Sequence, residues 1–156
     1  MPPAVVPPNM RPMDEVAQIA LTPAQLTMLR RVAVEAFPNE CCGLLVGAGE
    51  RTITVSELVP VANVADRPES RFEVDPQVQF DLLRRLRGSD LRIVGHYHSH
   101  PNGAAELSRH DLAMAHDPAA VWLVVPVREG ETGTPRAFVC PSTERAEPIG
   151  IIEVSP

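Results

Sequence analysis

Two helix-start signals divide a chain that otherwise consists of short apolar, strand-like runs. At the first, Thr22 is placed as a cap, Pro23 occupies the first helical position, and a glutamine three residues after the cap completes a capping box. At the second, Asp75 and Pro76 precede the amphipathic stretch Val78–Arg87. This alternation within 156 residues predicts one α/β domain, with a central mixed or largely antiparallel sheet flanked by helices.

The apolar runs around these helices predict the strands of that sheet. They have the length and the β-branched content of strands and are bounded by turn-forming residues. They cover residues 16–21, 42–47, 51–59, 91–100, 121–127, 136–140 and 149–154, and a third helix is predicted at Ser108–His116. Residues 1–15 are rich in proline and predict a flexible tail, so that residues 16–156 form the single domain.

Composition excludes several classes of protein. The net charge is −6 and no basic stripe is present, which argues against nucleic acid as the partner. No apolar run has the length of a membrane span, and the N-terminus does not have the pattern of a signal peptide. The odd set of Cys41, Cys42 and Cys140 favours a reducing compartment, so we expect a cytoplasmic protein. A redox role for these cysteines and a homodimeric state both stay open.

Three histidines alternate along the predicted strand at residues 91–100. His96, His98 and His100 share one face, because side chains two residues apart on a strand point the same way, with Cα atoms roughly 6–7 Å apart. Two imidazoles at that separation can converge on one cation at Zn–N distances of about 2.0–2.1 Å. An H-x-H pair alone is also compatible with a polar strand end that binds no metal.

The residues that follow strengthen the metal interpretation. Pro101 and the Asn-Gly pair after it turn the chain, Ser108 begins a helix, and Asp111 lies one turn into that helix. Two imidazoles and a carboxylate would give three protein ligands and one open position, which is the pattern of a catalytic zinc site. The same serine and aspartate also form an S-x-x-D capping box, which requires no metal. His96 is better placed as a core residue or as an outer partner of the ligands.

The motif His98-Ser99-His100-Pro101, followed by Ser108 and Asp111, resembles the signature H-[ST]-H-P-x(6)-S-x(2)-D of the JAMM (MPN-plus) metallopeptidases. The segment at residues 38–47, with a glutamate before a Cys-Gly-Leu-Leu strand, also looks like the first motif of that family. Asn63 and the stretch at residues 71–76 are similar to bacterial members. Many members have proline where this chain has Leu107, which leaves the proposed ligands unchanged.

The resemblance implies a cytidine-deaminase-like fold and a Zn²⁺ ion held by His98, His100 and Asp111. It further implies that Glu40 is the general base, a role that the sequence alone does not distinguish from other glutamates, and that Ser108 donates to the oxyanion. Three further residues are expected to support the site or to line a substrate groove: His96, Ser99 and Asn63.

The substrate class also comes from the resemblance. Compact bacterial members look like hydrolases that cut after the C-terminal Gly-Gly of a ubiquitin-like sulfur carrier and release cysteine or an extension. A general deubiquitinase-like isopeptidase and a non-catalytic MPN scaffold are the alternatives. A zinc deaminase would need a C-x-x-C pair, whereas Cys41 and Cys42 are adjacent. A relative involved in DNA repair is disfavoured by the acidic charge.

Overall fold

The computed structural model describes residues 11–12 and 15–156. Within them, the elements follow the order anticipated from the sequence and add one short strand in the loop after β5. The strands are β1 (Gln18–Leu21), β2 (Cys42–Ala48), β3 (Thr52–Val61), β4 (Arg92–His100), β5 (Val121–Arg128), β6 (Glu131–Thr132), β7 (Arg136–Ser142) and β8 (Arg145–Glu153). The helices are α1 (Pro23–Ala36), α2 (Pro76–Leu86) and α3 (Arg109–Ala113).

The strands form one mixed sheet in the order β4-β2-β3-β1-β8-β7-β5-β6, and an additional pairing of β4 with β5 closes it on itself. β1 runs parallel to β3 and β8, and β4 runs parallel to β5, whereas the other pairs among the described residues are antiparallel. The prediction of a mixed, largely antiparallel sheet is therefore confirmed. β4, which carries the three histidines, lies between β2 and β5.

Helix α1 covers the inner face of this closed sheet. Thr22 caps it as predicted, with its hydroxyl accepting from the Gln25 N–H at 3.2 Å and the Gln25 side chain accepting from the Thr22 N–H at 2.9 Å. Leu29 and Ala33 are buried completely against residues of β2, β4 and β5 such as Tyr97. This aliphatic core accounts for most of the apolar burial that stabilises the domain.

The other two helices pack on the outer face of the sheet. Leu82 and Leu86 of α2 contact the β2 side chain of Leu44, while α3 and the segment after it contact Trp122 of β5. Side chains alternate along a strand, so the residues that face α2 and α3 lie opposite those that face α1. The histidines of β4 lie on this outer face, in the strip of the strand between α2 and α3.

Two local predictions are revised. The third helix ends at Ala113 instead of His116, because Pro118 disfavours helical backbone in the residue before it and the chain must already have turned. Within the predicted tail, residues 1–10 and 13–14 lie outside the described residues. Arg11 is not loose: it is buried, pairs with Glu147 and Glu15, and donates to the Val16 carbonyl at 2.7 Å.

Within the described residues, every helix is too short or too polar to cross a membrane.

Candidate metal centre and active site

Three donor atoms meet at the outer face of β4. The Nε2 atoms of His98 and His100 are 2.9 Å apart, and Asp111 Oδ2 lies 3.2 Å from the first and 3.1 Å from the second. All three side chains are almost fully buried. We call His98, His100 and Asp111 the ligand triangle.

The geometry of the ligand triangle fits a zinc ion. Bonds of about 2.0–2.1 Å in a tetrahedral arrangement place ligand atoms roughly 3.3 Å apart, close to the 2.9–3.2 Å measured here. Two neutral imidazoles and one carboxylate also leave a fourth position for water or substrate. The donor set is therefore suited to a catalytic zinc site.

Asp111 reaches the triangle because Ser108 fixes the start of α3. The Ser108 hydroxyl accepts from the Asp111 N–H at 3.0 Å, and Asp111 Oδ2 accepts from the Ser108 N–H at 2.9 Å. Burial alone would raise the pKa of Asp111, but its hydrogen bonds with His100 and His98 outweigh burial and hold that pKa well below the ordinary value. Asp111 is therefore ionised at neutral pH, and the capping box and the triangle share one carboxylate.

The two triangle histidines are oriented by different neighbours. The Nδ1 atom of His100 lies 3.1 Å from the Ala104 carbonyl, which selects the tautomer that leaves Nε2 free to bind a metal. The Nδ1 atom of His98 has no hydrogen-bond partner among the described residues. Phe72 stacks on the His98 ring instead, with centroids 4.3 Å apart and planes inclined by 20°. Stacking therefore replaces an outer hydrogen bond at His98.

Glu40 lies beside the triangle, in the loop that enters β2. One carboxylate oxygen comes within 4.8 Å of ring nitrogens of both His98 and His100. The side chain is buried, and its Oε1 atom has no partner among the described residues. Burial raises the pKa of Glu40 to about 7, an effect that nearby His100 opposes and Asp111 adds to. A carboxyl group with that pKa can exchange protons near neutral pH.

Ser99 and Asn63 fix the backbone around Glu40. The Cys41 N–H donates to Ser99 Oγ at 2.8 Å, and the Ser99 N–H donates to the Cys41 carbonyl at 3.1 Å. The Asn63 side-chain amide donates to the Glu40 carbonyl at 3.0 Å and to the Arg71 carbonyl at 2.9 Å. Asn63 therefore holds both the segment of Glu40 and the segment of Phe72.

His96 lies next to the triangle, at the bottom of an apolar cleft of about 510 Å³ between α2 and the segment after α3, which Asp111 also lines. Its ring meets Trp122 edge-on at 4.1 Å, and its buried Nε2 has no partner among the described residues. Burial lowers the pKa of His96 to about 3, so it is neutral at physiological pH. The structure thus brings Glu40, Ser99, Asn63 and Ser108 around the triangle and places the His96 ring in the adjoining cleft, 6.2 Å from the His98 ring between centroids.

Sequence reasoning did not single out Phe72 as a residue of the site. It comes from a loop 26 residues before His98, and no local pattern links the two. The available hint was the similarity of residues 71–76 to bacterial members of the family, which gave no role to the aromatic ring. Cys41, Cys42 and Cys140 form no disulfide, and burial raises the pKa of each thiol, so none is an activated nucleophile.

The chain is similar to known proteins over most of this fold. The family model of prokaryotic homologs of the JAB domain matches residues 23–141. A desampylase of Haloferax volcanii is 36% identical over 100 residues, which is 64% of this chain and 70% of that protein. The CysO-cysteine peptidase of Mycobacterium tuberculosis is 28% identical over 117 residues, or 74% of this chain and 79% of that protein.

A solution structure of a protein from Desulfitobacterium hafniense has the same fold. It superposes with a TM-score of 0.76 at 27% sequence identity and covers 88% of this chain and 94% of that one. The family match spans the two strands, the helix and the loops that carry the site, from Glu40 to Asp111. This chain therefore belongs to the prokaryotic JAB-domain family, the JAMM type of metal-dependent peptidases.

Proposed function

We propose that this protein is a zinc-dependent peptidase that cuts after the C-terminal Gly-Gly of a ubiquitin-like sulfur carrier. The observation that carries the proposal is the ligand triangle with a buried carboxyl group beside it, whose Oε1 atom has no partner among the described residues. His98, His100 and Asp111 would hold the ion, and Glu40 lies within 4.8 Å of both imidazoles. A bound zinc ion would act as a Lewis acid that polarises the scissile carbonyl and promotes ionisation of water near neutral pH.

Glu40 would move the protons of the reaction. Its carboxylate accepts a proton from the attacking water and then delivers it to the nitrogen of the departing amine. Burial raises the pKa of Glu40 to about 7 in the metal-free protein, and the positive charge of a bound metal ion would lower it again and favour the carboxylate that accepts the first proton. Ser99 and Asn63 keep the Glu40 backbone in place while the charge changes.

Ser108 would stabilise the developing oxyanion. Its hydroxyl oxygen accepts from the Asp111 N–H, so the hydroxyl hydrogen remains available to donate. The residue is exposed at the rim of the site, where substrate can reach it. A single such donor contributes about 10²–10³ in kcat in enzymes of known mechanism.

The names of the relatives support the substrate class. The CysO-cysteine peptidase acts by name on a cysteine adduct, and the chain covers most of its length. A Gly-Gly tail suits a site of this kind, because it lies extended and can add backbone hydrogen bonds beside a strand. Three free cysteines favour a reducing compartment, and we propose the cytoplasm. The homodimer stays a prediction.

Cleavage of a defined carrier tests the proposal. The probe is a ubiquitin-like carrier domain with one extra residue after its Gly-Gly, and intact mass spectrometry follows the loss of that residue. Wild-type protein loaded with zinc should remove it, and chelation with EDTA or the Asp111→Ala change should abolish removal. If zinc-loaded wild-type protein at equimolar concentration leaves the mass unchanged, the alternative of a non-catalytic scaffold replaces the proposal.

A further inference from the structure

A second cavity lies near the same end of β4 as the ligand triangle. It has a volume of about 430 Å³ and is lined by Gly103, Pro126, Arg128, Glu129, Glu131 and Thr132, among others. Unlike the apolar cleft at His96, it is lined mostly by polar residues and contains one guanidinium group. We call it the Arg128 cavity.

The Arg128 cavity adjoins the ligand triangle. Pro126 pairs with His100 across the parallel strands β4 and β5, so both side chains emerge on the same outer face. Arg128 follows two residues later on β5 and therefore projects from that face too. Gly103, which lines the cavity, donates its N–H to the His100 carbonyl at 3.1 Å. The cavity is thus the continuation of the face that carries His98 and His100.

The guanidinium of Arg128 is free to bind an anion. The side chain is exposed and makes no ion pair or hydrogen bond with the rest of residues 11–12 and 15–156. It lies against Gly103, where an added Cβ would come within 2.8 Å of Nε and 2.9 Å of Nη2. Gly103 also has φ of +80°, which a residue with a side chain rarely adopts. Glycine at this position therefore leaves room for the arginine beside the site.

We propose that Arg128 binds the α-carboxylate of the single residue that leaves when the carrier is cut. The proposal rests on the proposed function, because it assumes that the scissile carbonyl lies at the ligand triangle. Successive residues of an extended chain are about 3.8 Å apart, so the carboxylate of a one-residue extension lies one step beyond the scissile bond. The planar guanidinium can bind both carboxylate oxygens at once.

The acidic residues of the cavity restrict which anions can bind there. Glu129 and Glu131 line the same space and repel an anion that does not contact Arg128 directly. After cleavage the released amino acid carries an ammonium group beside its carboxylate, and that group complements the two glutamates. The charge pattern therefore matches a free amino acid. A lysine linked through an isopeptide bond brings no carboxylate to this position, so Arg128 selects for one-residue extensions over protein conjugates.

Two matched substrates isolate the contact. A carrier domain ending in Gly-Gly-Ala is prepared as the free acid and as the C-terminal carboxamide, which differ only in the negative charge. Alanine replaces cysteine so that no thiol competes for zinc. Wild-type protein should cleave the acid with kcat/KM at least about tenfold above the amide, since hydrogen bonds to charged groups contribute about 1.5–3 kcal/mol.

The variants assign that preference to Arg128. Arg128→Gln should lower kcat/KM for the acid to the value for the amide. Arg128→Lys should restore part of the preference, because lysine keeps the positive charge but cannot bind both carboxylate oxygens at once. Arg92→Gln makes the same charge change at the far end of β4 and should leave the preference intact. If Arg128→Gln still prefers the acid as strongly as wild-type protein does, the proposal is wrong.

A binding measurement separates this proposal from the proposed function. In Glu40→Gln protein loaded with zinc, the peptide Gly-Gly-Ala as the acid should shift the NMR resonance of Arg128 Nε–Hε, and its amide should not. If wild-type protein cleaves neither carrier but the acid peptide shifts that resonance, the carboxylate site stands and the peptidase proposal fails. If the acid peptide causes no shift, the carboxylate site is wrong even when both carriers are cleaved.

Discussion

His96 and His100 lie on one face of β4, four residues apart, yet their imidazoles have opposite surroundings. His100 contacts the Ala104 carbonyl through Nδ1 and Asp111 through Nε2, both at 3.1 Å. His96 packs edge-on against Trp122, and its buried Nε2 has no partner among the described residues. Burial lowers the pKa of both rings, but the hydrogen bond with Asp111 reverses this for His100, whose pKa is raised, whereas that of His96 falls to about 3.

The comparison shows what strand periodicity determines and what it leaves open. Alternation puts both rings on the outer face of the sheet. The neighbours then divide that face into a polar end, where the triangle and the Arg128 cavity lie, and an apolar end, where the cleft extends from Asp111 to His96. Chemistry is expected at the polar end and packing at the apolar end. The following changes test this division.

The largest effect is expected at Glu40. Glu40→Gln removes the proposed base but keeps the shape of the side chain, so kcat should fall about a thousandfold while zinc stays bound. Glu73→Gln is the matched control, because Glu73 lines the apolar cleft, and its kcat should equal that of wild-type protein. Steady-state cleavage of the carrier measures both. Wild-type activity in Glu40→Gln would remove Glu40 from the mechanism.

A smaller loss is expected at Asn63, which bonds to the carbonyls of both Glu40 and Arg71. Asn63→Ala frees both segments, and misplacement of a catalytic group by about 1 Å costs up to 10² in rate. We expect kcat to fall between tenfold and a hundredfold with zinc content unchanged. Asn39→Ala, next to Glu40 on the exposed side, serves as the control. Equal kcat values for the two variants would show that Asn63 does not position the base.

Phe72→Ala tests whether stacking orients His98. Removing a ring 4.3 Å from the His98 imidazole takes away its nearest stacking partner, and its Nδ1 has no hydrogen bond among the described residues to compensate. Zinc affinity should fall about tenfold, the lower range for lost outer partners of a metal ligand. Competition with a chromophoric chelator measures it. Phe80→Ala, on the exposed face of α2, should bind zinc like wild-type protein, and an unchanged affinity in Phe72→Ala would contradict the account.

The smallest effect concerns stability at the apolar end. His96 has a pKa of about 3 in the fold and 6.5 as a free side chain. Between these values the unfolded state binds the extra proton, so the free energy of unfolding falls as pH decreases from 6.5 towards 3, by at most about 1.4 kcal/mol per pH unit. In metal-free protein, urea unfolding should show a weaker pH dependence for His96→Leu than for wild-type protein. Parallel curves would indicate that His96 is solvated and protonated.

Much of the fold could be predicted from local patterns. The capping box at Thr22 starts α1, and the one at Ser108 starts α3, because the required side chains lie three residues apart in the sequence. The two interpretations of Asp111, as a capping residue and as a donor facing the histidines, were left open by the sequence. In the structure one carboxylate oxygen makes both sets of contacts.

The rest depends on contacts between distant segments. The parallel pairing of β4 with β5 places Pro126 beside His100, and parallel strands are joined by long crossovers that leave no local trace of register. Phe72 reaches His98 from a loop that Asn63 holds through the Arg71 carbonyl, and it packs against Trp122 of β5. The raised pKa of Glu40 likewise follows from burial, which the sequence around Glu40 does not encode.

The metal content of the purified protein tests most directly the central claim that the ligand triangle binds a zinc ion. Zinc in purified protein, determined by mass spectrometry of the element, should be about one ion per wild-type chain, as expected of a single catalytic site. Asp111→Ala should lose the ion, whereas Asp117→Ala, six residues further on at the apolar cleft, should keep it. Full zinc occupancy in Asp111→Ala would show that the ligand triangle does not hold the ion. It would also contradict the division of the outer face of β4 into a polar end that binds the metal and an apolar end that only packs.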